Sequence, residues 1–192
     1  MFTDPAIIHL LLEGPRVDCS WINSKGRTAL HEAVANGKLV GVETLLADPG
    51  CRFSREPLLN KPEALSGMTA LHLATLHSHY NITLSLLAQP EINDLPIDHK
   101  GRTPLHLAVG AGDMTIIRIL LKHYACHPAS DLDRKDHTGQ TSLHLAARHK
   151  GHLAIDELVR DGRFDVNLCD IGCQTPLHIG TVAGPTAPTR EC

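Results

Sequence analysis

A four-residue pattern, Thr-x-Leu-His, occurs five times in this chain of 192 residues. The copies are Thr28-Ala29-Leu30-His31, Thr69-Ala70-Leu71-His72, Thr103-Pro104-Leu105-His106, Thr141-Ser142-Leu143-His144 and Thr175-Pro176-Leu177-His178. Their threonines lie 41, 34, 38 and 34 residues apart. A recurrence of that length dictates that one small supersecondary unit is built several times and stacked. Other positions keep the same register. Ala33, Ala74, Ala108, Ala146 and Gly180 follow each threonine by five residues, and Gly26, Gly67, Gly101 and Gly139 precede four of them by two. The pairs Leu45-Leu46, Leu86-Leu87, Leu120-Leu121 and Leu158-Val159 come seventeen and eighteen residues after the first four. Asn23, Ala64, Asp98, Asp136 and Asp170 stand five residues before the threonines.

The stretch from Thr103 to Ala125 shows what one unit contains. Its threonine can cap the first free N–H groups of a helix, and Pro104 in the first helical position loses no hydrogen bond. Gly110 and Gly112 break that helix early. Asp113 then caps a second helix, on which Ile116, Ile117, Leu120, Leu121 and Tyr124 recur along one stripe. A hairpin of two such short helices has an apolar face and nothing of its own to bury it against. A neighbouring unit must cover it. The small residue after the motif lets helices of adjacent layers approach closely, and the Leu-Leu pair faces the gap between layers. Asp or Asn followed by glycine predicts a tight turn at the tip of a projecting hairpin. The threonine and histidine are expected to hydrogen-bond each other and the nearby backbone.

This register resembles the ankyrin repeat, with its TPLHxA signature and period of about 33 residues. The resemblance covers essentially the whole chain. It implies an all-α solenoid of stacked helix-turn-helix units with projecting β-hairpin loops, acting as a non-catalytic module that binds other proteins and needs no cofactor.

Composition agrees with thin layers of small helices. Hydrophobic residues make up 42% of the chain but aromatic ones only 3%, so the core must be built from Leu, Ile, Val and Ala. A net charge of −3 gives no drive towards nucleic acid or an anionic membrane. The run from Ala6 to Leu12, interrupted by His9, is too short to span a bilayer. Asp4 in front of it argues against a secretory signal. Cys19, Cys51, Cys126, Cys169, Cys173 and Cys192 contain no C-x-x-C pair, so free thiols in a reducing compartment are expected, in the cytoplasm or the nucleus. The sequon at Asn81-Ile82-Thr83 then reads as chance.

The register divides a single array over 1–192 into unequal parts. Residues 1–22 give a partial N-terminal repeat and a loop, with the second helix of a repeat over Ala6–Leu12 and its first helix missing. Repeat one covers 23–63 and carries a long insertion, whose prolines (Pro49, Pro57, Pro62) predict an extended excursion. Repeats two, three and four cover 64–97, 98–135 and 136–169. Repeat two is irregular, because Ala64 replaces the turn aspartate and Ser78 replaces the glycine between helices. A partial repeat five covers 170–184, with Cys173 in the glycine position, and a disordered tail covers 185–192. Neither end carries the polar outer face that a terminal repeat needs, which points to a fragment, a truncated gene product or a partner covering those faces.

Five of the fourteen histidines belong to the motif and are read as structural. His123, Cys126 and His127 place three soft ligands within five residues, but a structural zinc site takes four, so no metal is expected. Cys169 and Cys173 receive the same reading. Neither a nucleophile elbow, a phosphate loop, a dinucleotide fingerprint nor HExxH is present, and catalysis is not expected. Recognition is expected where the resemblance puts partner contacts, at the hairpin tips and the end of each first helix. Among those positions are Lys25, Arg27, Leu65, Met68, His99, Lys100, Arg102, Gln140, Arg148 and His149. They carry five Lys or Arg and no Asp or Glu, against 18 bases and 21 acids in the whole chain. The expected partner is another protein, met through an acidic segment, with Leu65 and Met68 giving an apolar contact between basic stretches. The alternative is the sensory or targeting portion of a larger protein such as a channel, kinase or ubiquitin-ligase adaptor. Basic positions are too few, and too poor in aromatic companions, to predict nucleic-acid binding.

Overall fold

In the computed structural model, described over residues 5–12, 18–48, 58–126, 131–149 and 151–182, every regular element is helical. The all-α expectation holds, and the hairpin loops are turns without a strand among the described residues. The chain forms two compact units, Met1–Lys100 and Gly101–Cys192.

The first unit contains α1 (Pro5–Leu12), α2 (Ala29–Ala35), α3 (Leu39–Ala47), a 3-10 turn over Leu58–Asn60, α4 (Ala70–Leu76) and α5 (Tyr80–Leu87). The motif helices α2 and α4 lie side by side, each backed by the helix that follows it, and α1, α3 and α5 form the second row. The second unit contains α6 (Pro104–Ala111), α7 (Met114–Cys126), α8 (Ser142–Arg148), α9 (His152–Asp161) and α10 (Pro176–Val182). Here α6, α8 and α10 make the motif row, with α7 and α9 behind it. Leu30, Leu71 and Leu86 in the first unit and Leu105, Ile116, Ile117, Leu120 and Leu158 in the second are essentially closed to solvent. Each such side chain stabilises the stack by about 1.5–3 kcal/mol.

The motif explains why each first helix starts where it does. In all five copies the threonine N–H donates to Nδ1 of the histidine three residues on, at 3.2–3.3 Å. In three copies the threonine hydroxyl also accepts from the histidine N–H at 3.4 Å. These reciprocal bonds satisfy donors that a helix N-terminus otherwise leaves bare. Because Nδ1 accepts from a backbone N–H, the ring proton sits on Nε2 and points onward. His106 Nε2 donates to the Gln140 carbonyl at 3.1 Å, and His144 Nε2 to the Gln174 carbonyl at 3.0 Å. Each motif histidine thus starts its own helix and, in these two copies, ties it to the tip of the next repeat.

Irregular positions adopt the regular geometry at a cost. Ser78 takes φ +56 where Gly37 and Gly112 take +66 and +70, and Cys173 takes φ +57 where the tip glycines lie between +71 and +75. A side chain in this left-handed region costs about 1–2 kcal/mol. The insertion expected to be extended lies mostly outside the described residues, and its last part is the 3-10 turn, with Leu58 and Leu59 buried.

One cysteine reading is corrected. Cys19 is buried and disulfide-bonded, so the six cysteines are not all free thiols. A pairing made by the folded chain leaves no trace in short cysteine spacings. Cys126, Cys169 and Cys173 are free and exposed, whereas Cys51 and Cys192 lie outside the described residues. No helix among the described residues is long and apolar enough to cross a membrane.

Candidate functional site

The hairpin tips are built by side chains that fold inward onto their own backbone. Asn23 Oδ1 accepts from the N–H groups of Lys25 and Arg27 at 2.9 and 3.0 Å. Asp98 Oδ1 accepts from the Lys100 N–H at 2.8 Å. Asp136 accepts from the N–H groups of Thr138 and Gln140, and Asp170 from those of Gly172 and Gln174, at 2.8 and 3.0 Å in each case. The acceptor side chain substitutes for a strand partner and closes the turn. The hydrogen bond from Gln174, followed by that from Gly172, holds the Asp170 carboxyl below the usual aspartate value against the opposing pull of desolvation. Tip acids are therefore spent on the backbone, while the lysines between them point out.

Within the first unit the tips stack directly. Gly26 packs on Ala64, whose N–H donates to the Gly26 carbonyl at 3.2 Å. Gly67 packs on His99, whose N–H donates to the Ser66 carbonyl at 2.8 Å. In the second unit Gly101 packs on His137 and Gly139 on Ile171. The missing aspartate of repeat two is also explained. Its turn starts one residue earlier, at Glu63, whose N–H donates to the Met68 carbonyl at 2.8 Å, and whose carboxylate accepts from the Ser66 hydroxyl.

Against this geometry the ten expected recognition residues separate. Lys25, Leu65, His99 and Lys100 are exposed on the tips of the first unit, Leu65 at 76%. Arg148 and His149 are exposed at the end of α8 in the second unit. Arg102, also in the second unit, is half-buried and has an interaction of its own. Three residues have structural roles instead. Arg27 Nε donates to Glu63 Oε2 at 2.5 Å, with the Glu63 side chain 5% exposed. Burial alone would raise the Glu63 carboxyl, but the hydrogen bonds from Ser66 and Arg27 and the guanidinium charge outweigh it and hold the group below the usual glutamate value. Arg27 is therefore an internal counter-ion. Met68 is 9% exposed and Gln140 3%, so neither offers a contact surface. Met68 sits under the tip that Glu63 closes, and Gln140 gives its carbonyl to His106 and its side chain to Asp170.

The remaining titratable clusters carry little chemistry. No three His, Cys, Asp or Glu side chains converge on a point among the described residues, and His127 lies outside them. His31 is fully buried, and its Nε2 makes no hydrogen bond of ordinary geometry, although the Lys61 and Met68 carbonyls act on the ring. Burial pushes its pKa down, against the opposing charge of Glu63. Two features of the surface and its support lay outside the tip register. One is Glu63, which a six-residue rather than five-residue offset from Thr69 conceals. The other is Trp21, 77% exposed beside an open groove along α1.

Comparison with known proteins agrees with the repeat geometry. The family profile described as "Ankyrin repeats (3 copies)" matches residues 42–131, and that described as "Ankyrin repeat" matches 25–53 and 138–171. Among curated relatives, neurogenic locus notch homolog protein 1 of Mus musculus is 38% identical over 116 residues, or 59% of this chain. The Homo sapiens protein is 37% identical over 116 residues, and the Xenopus tropicalis protein 36% identical over 113. The match spans about 4% of the length of each of these relatives. Ankyrin repeats are generally protein–protein interaction modules and are typically non-catalytic. The profiles together cover well over half of the sequence, and the chain belongs to the ankyrin-repeat family.

Proposed function

We propose that this chain is a protein-binding module whose exposed hairpin-tip cations receive an acidic segment of another protein. The observation that carries the reading is the inward turn of the tip acids. Asp98 is buried and bonded to the Lys100 N–H, while the side chains of Lys25 and Lys100 stay exposed. Charge on a rigid tip that has already lost its turn entropy steers an oppositely charged segment and orders little on binding. Leu65, exposed between the tips that carry Lys25 and His99, supplies an apolar contact. In the second unit Arg148 and His149 are the corresponding candidates. Arg27, Met68 and Gln140, held inside the tips, take no part in this surface.

The test uses peptides matched in apolar content but acidic, neutral or basic in charge, titrated against the whole chain at low and high salt. Acidic peptides are expected to bind, with affinity falling as salt rises. A second reading, a targeting portion of a larger protein, is favoured by the short share of each relative that the match spans. It is compatible with the first, since a module inside a longer chain binds through the same tips. A cytoplasmic or nuclear setting belongs to the proposal: the three free exposed thiols support it, the Cys19 disulfide counts against it, and fractionation of the native protein decides.

A further inference from the structure

Helices α1 and α10 are exposed in complementary ways. In the first unit α1 lies in the second-helix row beside α3, and no motif helix is packed in front of it among the described residues. An apolar groove of about 710 Å³ takes that place. It is lined by Ile8, Leu11 and Leu12 of α1, by Ala29, Glu32 and Ala33 of α2, and by Trp21 at its mouth. Ala33 is half-open here, while Ala74, the corresponding residue of the next repeat, is closed. In the second unit the converse holds. The motif helix α10 packs on α8 through Ile179, and no second-row helix backs it among the described residues. Leu177 is consequently 75% exposed, whereas the same motif leucine is 1% exposed in α6.

We infer that α10 of one copy of this chain docks into the α1 groove of a second copy, so that a first-row helix and a second-row helix from different molecules complete one repeat. The occupant follows from the chain's own packing rule. Within each unit a motif helix that has a following repeat touches the second-row helix of its own repeat and the motif helix of the next, as α2 touches α3 and α4 and as α6 touches α7 and α8. The groove offers those two surfaces, α1 and α2, and α10 is a motif helix short of both. The polar join agrees. The Gln140 and Gln174 carbonyls each accept a turn N–H at 2.9 Å and, from the preceding repeat, a histidine Nε2–H. The Arg27 carbonyl accepts the Asn23 N–H at the same 2.9 Å. In the composite repeat it is the acceptor for His178 Nε2 of the other copy, whose Nδ1 already holds the Thr175 N–H at 3.3 Å. One feature weakens the join. Cys173 occupies the tip position where a Cβ in other repeats would crowd the next tip, so the contact rests on the helices.

This surface is separate from the tips, and the contact is heterologous: each copy uses a different face, leaving one of each free. The chain's single tryptophan reports it. Sedimentation of the whole chain is expected to show mass rising with concentration beyond the monomer, together with a blue shift of Trp21 emission. Leu11→Glu and Leu177→Glu alter residues 62% and 75% exposed, so helical circular dichroism should match wild type. Each variant alone is expected to stay monomeric, because one of its two faces is blocked. Their equimolar mixture is expected to give twice the monomer mass and no more, since one intact α1 groove meets one intact α10. If either variant loses helicity, the milder Leu11→Ser or Leu177→Ser replaces it in the same mixing scheme. A wild-type chain that remains monomeric at all concentrations would overturn the inference and leave the groove to another ligand. So would self-association of either variant alone, or a mixture that fails to pair.

Discussion

Replacing Gly139 by alanine separates the two costs that the tip geometry imposes. Gly139 and Gly112 share a left-handed backbone, φ +74 and +70. Nothing lies within 4 Å of a Cβ built on Gly112. Gly112→Ala therefore isolates the dihedral penalty, about 1–2 kcal/mol, less about 0.4–1 kcal/mol for the stiffer unfolded chain. The expected net loss is about 1 kcal/mol. A Cβ on Gly139 would stand 2.6 Å from the Ile171 nitrogen and 2.8 Å from its Cγ2. Backbone cannot yield as a flexible side chain does, so the 170–174 tip must shift. That shift strains the bonds the tip receives, from His144 Nε2 to the Gln174 carbonyl at 3.0 Å and from Lys135 Nζ to the Cys169 carbonyl at 2.7 Å. Losing the first of these, which is part-buried, costs about 1–2 kcal/mol, which brings Gly139→Ala to about 2–3 kcal/mol in all. Urea unfolding followed by far-UV circular dichroism measures both variants against wild type, and hydrogen exchange locates the loosened tip. Equal losses for Gly112→Ala and Gly139→Ala would refute tip-on-tip packing as a source of stability.

Three further outcomes follow from named contacts. Ser78→Gly removes the left-handed penalty at φ +56 and is expected to raise stability by about 1 kcal/mol in the same unfolding assay. Arg27→Ala leaves the buried Glu63 carboxylate without its counter-ion and is expected to cost about 2 kcal/mol, whereas Lys25→Ala stays within about 0.5 kcal/mol. The contrast separates the structural arginine from the exposed lysine. The lowered His31 pKa sets a pH dependence with a definite sign. The unfolded chain takes a proton near about pH 6.5 while the folded one resists it, so stability is fully present above that value and falls as pH drops through the lower folded pKa. His31→Gln should flatten that slope in urea titrations at stepped pH.

Local chemistry made most of the fold legible. A threonine and a histidine three residues apart can cap a helix start reciprocally, so five copies of the pattern pointed to five helices. Glycine positions announced left-handed turns, and Ser78 and Cys173 were visible as substitutes that must take the same dihedrals. The site was less legible, because register gives a residue its place along the repeat but not what covers it. Met68 and Gln140 hold tip positions yet are buried, since neighbouring structure closes over them. Arg27 looks like a recognition cation until Glu63, 36 residues away, folds against it. The Cys19 disulfide and the α1 groove likewise depend on long-range packing. Sequence supplied the periodic contacts; the exceptions came from pairs that no period links.

The central claim is that exposed lysines on pre-formed tips select an acidic partner. Titration calorimetry of the acidic peptide against wild type and against the Lys25→Glu, Lys100→Glu double variant tests it most directly. Each reversal removes an attraction and adds a repulsion of about 0.5–1 kcal/mol, so the pair should weaken binding by at least about tenfold at low salt. The difference should shrink as salt rises, with stability unchanged. Equal affinity for wild type and the double variant, at low salt, would contradict the account.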